Sequence, residues 1–91
     1  MKKHPVNVKG FDSLEELAIQ VGSMRYDKLA EFLQYLSEEM ARQQEKDRQV
    51  GKTKLAADSE KLISSLGDAS ADAQFLFDTY KKFMEHEFAA G

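Results

Sequence analysis

An all-α fold, a small antiparallel bundle of three to four helices behind a short N-terminal arm, is what this sequence predicts. Three observations carry that prediction. Apolar residues recur at helical spacing through most of the chain, as in Leu29, Leu33, Leu36 and Met40 at steps of four, three and four. Glycines at 22, 51 and 67 stand close to cap-forming Ser, Thr or Asp residues, so the connections are short and favour antiparallel neighbours. The only proline is confined to position 5, before the first helical pattern.

Residues 1–12 read as the arm. Pro5 blocks early helix, and Val6 and Val8 alternate with Asn7 and Lys9 as in a short extended segment. Residues 13–88 read as the helical domain and residues 89–91 as a tail that frays. The first helix is expected over Leu14–Val21. Ser13 with Glu16, or Asp12 with Glu15, forms a capping box, and Gly22 is the expected C-terminal cap. Leu14, Leu17, Ala18 and Val21 share one face.

The second helix is expected over Met24–Val50, roughly 40 Å if continuous. Its apolar stripe ends at Met40, and the same count then meets Gln43, Asp47, Val50 and Lys54. Good helix formers fill Ala41–Val50, where Glu38 and Glu39 can reach Arg42 and Glu45 can reach Arg48. The helix therefore outruns its apolar stripe, ending at Gly51 either as a solvated hairpin tip or as an inter-subunit element. A third helix is expected over Lys54–Leu66, with Thr53 capping it and Gly67 closing it. A fourth, from Asp68 or Ser70 to about Phe88, carries Ala73, Leu76, Phe77, Tyr80, Phe83, Met84 and Phe88 on one face. The expected core is Leu29, Leu33, Leu36, Met40, Phe77, Tyr80 and Met84.

Size and composition bound the function. Ninety-one residues allow one domain, and a chain this short gains from oligomerisation as a source of buried area. Hydrophobic residues at 42% and charged residues at 32% belong to a globular chain rather than a disordered one. With no cysteine, neither a disulfide nor a thiolate metal site is possible. No apolar run follows the basic start, so neither a signal peptide nor a membrane span is expected and a cytoplasmic location follows by default. The net charge of −3 alternates along the chain. Residues 1–10 carry +3, residues 11–40 carry −5, residues 41–67 carry +2 and residues 68–91 carry −3. Such a chain folds back with unlike segments facing, and offers no broad basic field for nucleic acid.

Motifs for chemistry are sparse. Gly51-Lys52-Thr53 copies the end of a phosphate-binding loop, but Lys46 stands where its first glycine belongs, and helix-forming sequence leads in. His4 and His86 are far apart, and Glu85-His86-Glu87 on one helical turn point in different directions. No Glu-x-x-His unit accompanies the carboxylate pairs, so a di-metal bundle has no ligand set. No enzyme activity, cofactor or metal is expected.

Leu17–Gly22 followed by Met24–Leu29, with small Ala18 four residues before Gly22, resembles a helix-turn-helix. The resemblance spans about 20 residues and implies a DNA-binding regulator using residues 14–36, with Arg25, Tyr26 and Lys28 as contacts. Asp27 and Glu31 on the same helix, and the −5 around it, oppose phosphate binding. The preferred expectation is a non-catalytic protein–protein interaction module that self-associates. Its candidate surface is Ile19, Tyr35 and Phe75, which fall off the main apolar stripes, with polar Gln43, Gln44 and Asp47. The competing expectation is that Val6, Val8 and Phe11 of the arm cover some of that patch.

Overall fold

The folded chain is 79% helical. The structure, a computed structural model, describes residues 4–90, and the side chains of residues 4–83. Its elements are α1 (Leu14–Gly22), α2 (Tyr26–Gln49), α3 (Thr53–Asp58) and α4 (Glu60–Ala90). Among the described residues there is no strand. The expected contributions of Met84, His86 and Phe88, and of Gly91 in the tail, lie outside what is described.

Of the two capping-box registers, α1 uses the later. Ser13 Oγ accepts the Glu16 N–H at 3.1 Å, and Glu16 accepts the Asp12 N–H at 3.2 Å. Gly22 is not the left-handed cap that was expected; it is the last residue of α1, and Ser23 closes the helix by donating both N–H and Oγ to Ile19 O. The end of α2 does use a left-handed glycine. Gly51 has φ +87°, its N–H donates to Arg48 O, and Lys52 N–H donates to Asp47 O at 2.8 Å. These are the two bonds of a Schellman cap. Thr53, expected as the next cap, is instead the first residue of α3, and Lys52 precedes it without a side-chain bond. The resemblance of residues 51–53 to a phosphate loop is thus a helix stop.

The expected boundary between helices three and four is corrected. Gly67 lies inside the 31-residue α4, and the break comes earlier, at Ser59. Ser59 Oγ bonds back to Ala56 O at 2.8 Å while its carbonyl still accepts the Ile63 N–H, so α3 and α4 form one bent helix. Gly67 has no left-handed φ, and a Cβ built there meets only Ser37 Oγ at 3.9 Å. Gly67→Ala should therefore raise stability by about 0.5–1 kcal/mol, since alanine costs less conformational entropy in a helix. Urea unfolding followed by circular dichroism checks this; a loss of stability would restore the helix end to Gly67.

α2 and α4 pack antiparallel along their length, and α3 packs on the end of α2. Two crossing hydrogen bonds set the register: Ser70 Oγ to Ala30 O at 2.6 Å and Ser37 Oγ to Ile63 O at 3.0 Å. The contact line advances by sevens, through Ala30, Ser37 and Gln44 on α2 and Ala56, Ile63 and Ser70 on α3–α4. Most of these side chains are small, which lets the two backbones approach closely. The core is corrected accordingly. The buried residues are Ala30, Ser37, Ala56, Ser70 and Ala73, whereas Leu29, Leu33, Leu36, Met40 and Phe77 are only half-buried and Tyr80 is exposed. Apolar periodicity marks a stripe, but the closest helix–helix contact falls where side chains are smallest, about one residue round from that stripe.

The polar end of α2 is not bare. It packs on α3, with Gln44 Nε2 donating to Ala56 O at 2.8 Å and to Glu60 Oε2 at 2.9 Å. Arg42 pairs with Glu39 and Arg48 with Glu45, exposed contacts contributing a few tenths of a kcal/mol each. The arm is not extended over residues 4–12. It turns at Val8–Phe11, where Phe11 N–H donates to Val8 O and Gly10 has φ +93°.

Candidate functional site

A hairpin of two long helices has two broad faces, and side-chain phase assigns residues to each. One face presents Asp27, Glu31 and Gln34 of α2 beside Gly67, Ala71 and Gln74 of α4. They line a shallow open groove of about 500 Å³ that also reaches Ser70 and Phe77. Its carboxylates are already engaged. Arg25 holds Asp27 through two bonds of 2.6 and 2.9 Å, and Lys28 holds Glu31 at 3.3 Å. The hydrogen bond from Arg25 keeps the Asp27 carboxyl below its ordinary range, against a smaller opposing effect of burial, and the same pairing raises the Arg25 guanidinium. Among the described residues no group of three or more His, Asp or Glu side chains could hold a metal ion.

The opposite face is apolar. Turning the other way round each helix from the contact line brings Leu29, Leu36 and Met40 of α2 beside Leu62, Leu76 and Tyr80 of α4. Leu62, Leu76 and Tyr80 are exposed, Leu62 to 52%, and the three α2 residues are half-exposed. Among the described residues α1 packs less on α2, α3 and α4 than these pack on one another. Among the described residues no large side chain is fully buried. The molecule is elongated, measuring 53 × 30 × 14 Å. Domains ordinarily close a core between two layers. The α2–α4 hairpin is by itself one such layer, and the described residues of this face are exposed or half-exposed.

The residues expected to form an interaction patch are dispersed. Ile19 lies on α1, and Tyr35 and Phe75, each 63% exposed, sit on the outer edges of different helices, roughly 140° from the contact line. They do not form one surface, and the arm leaves all three exposed. Gln44 is used inside the hairpin, Gln43 donates to Glu39 at 3.0 Å, and the Asp47 carbonyl takes part in the Schellman cap. Leu62 and Leu76 were not singled out by the sequence as surface. The signal for them was the seven-residue series of small residues, which turns the leucines off the contact line.

The α1–α2 corner places Arg25, Tyr26 and Lys28 on the surface, with Arg25 and Lys28 paired to acidic side chains. Besides Asp27, the Arg25 guanidinium lies 5.6 Å from the centroid of the Phe77 ring. No helix of the described residues is long and apolar enough to cross a membrane. Comparison with family models, curated proteins and solved structures found no match to this chain.

Proposed function

We propose that the chain is a non-catalytic protein–protein interaction module that works through the apolar face of the α2–α4 hairpin, with self-association as its first mode. The single observation carrying this reading is the one-layer hairpin with a continuous leucine-rich face left uncovered. Contiguous apolar surface of that kind marks an interaction site. The helix-turn-helix alternative is less favoured, since Arg25 pairs with Asp27 and Lys28 with Glu31.

Concentration-dependent melting tests the proposal. A module that completes its core by association has a midpoint that rises with protein concentration. A midpoint independent of concentration, together with no binding of an apolar dye, would overturn it. A salt-sensitive shift of duplex DNA, abolished by Arg25→Glu with Lys28→Glu, would replace it with the regulator.

A further inference from the structure

From this contact surface, and resting on that reading, we infer the partner and its orientation. A second copy of the chain packs apolar face to apolar face about a two-fold axis across the long direction. Each hairpin tip then lies over the open half of its mate. The product is a four-helix bundle whose two layers enclose the leucines that one layer leaves half-exposed.

Size supports a partner as large as the chain itself. A compact protein of 10.3 kDa exposes about 5,400 Å² of surface. This chain exposes 7442 Å². The excess, about 2,000 Å² per copy with a share from the exposed arm, is on the scale that obligate homodimers bury. The radius of gyration agrees: 16.4 Å, where a compact chain of this length has about 12 Å.

Charge selects the orientation. Both two-fold arrangements of stacked hairpins keep neighbouring helices antiparallel, so helix dipoles do not choose between them. Residues 41–67, which build the tip, carry +2, whereas residues 11–40 carry −5 and residues 68–91 carry −3. With the tips at the same end, like charge meets like. With the tips at opposite ends, each basic tip overlies its mate's acidic half, which favours encounter and orientation. The facing surface between Leu29 and Met40 and between Leu62 and Tyr80 has no charged residue turned into it by helical phase, so stacking strands no charge.

The absence of cysteine makes the test clean. A single Val50→Cys substitution at the exposed tip carries a spin label, and sedimentation equilibrium gives the mass. The expected result is a dimer whose tip labels are separated by about the 53 Å length of one copy. Leu62→Asp with Leu76→Asp should give a helical monomer, while Phe75→Asp on the outer edge leaves the dimer intact. Should the double variant lose its helix, the label distance in the native sequence still decides. Tip labels within the 30 Å breadth of one copy, or a dimer that survives both aspartates, overturn the inference while the interaction module stands. A monomer that binds an apolar dye also overturns it, leaving the face as a site for another protein. A monomer that binds no dye overturns both.

Discussion

Ala30→Leu should destabilise the protein by about 1–3 kcal/mol, the usual cost of forcing a larger side chain into a close contact. Ala30 is 4% exposed, and Ser70 Oγ lies 2.6 Å from its carbonyl oxygen. Ala30 also borders the open groove, but at this exposure it sits within the helix–helix contact, so three added carbons push α4 away and stretch or break the crossing bond. In a domain of this size each kcal/mol moves the melting temperature by about 4–8 °C. Thermal and urea unfolding at fixed concentration measure the effect. The same substitution in an ordinary apolar stripe would be neutral or favourable, so an unchanged midpoint would show that the helices do not meet at their small residues.

Gly51→Val is expected to cost about 1–2 kcal/mol, because a non-glycine residue pays about that much in the left-handed conformation and a β-branched one tolerates it worst. The cost is one of backbone rather than space, since nothing lies within 4 Å of a Cβ built at Gly51. Gly51→Asn should accordingly recover much of the loss, as asparagine visits that conformation readily. Unfolding of both variants beside the native chain separates the two causes. Equal losses would mean that crowding, not φ, governs the turn. The damage is local to the cap at Arg48 and Asp47 and to the docking of α3 that follows it.

Local chemistry was legible in the sequence wherever one residue decides one event. Ser13 and Glu16 start α1, Gly51 stops α2, and Glu39 with Arg42 and Glu45 with Arg48 line the polar length of α2. Glycines were the unreliable punctuation. Gly51 terminates a helix because its φ is positive, while Gly67 sits inside one because the α2–α4 contact outweighs roughly 1 kcal/mol of poor propensity. The candidate surface was less legible. Tyr35 and Phe75 stand off the apolar stripes, but only the pairing of helices shows that they point to opposite edges. Leu76 reads from the sequence as part of the apolar face of the last helix, and only that pairing shows that it and Leu62 are exposed.

The sequence by itself determined that this chain is helical, where α1 begins and α2 ends, and that its charge alternates along the chain. Those properties come from caps, propensities and counts, which act within a few residues. Only the tertiary structure decided which side of α2 meets α4. Apolar spacing locates a stripe at Leu29–Met40, but close packing is won by Ala30, Ser37, Ser70 and Ala73, whose small side chains bring the backbones together. That rotation of the contact by about one residue leaves the expected core half-exposed. It happens because small side chains let the two backbones approach closely, which turns the larger side chains off the contact line.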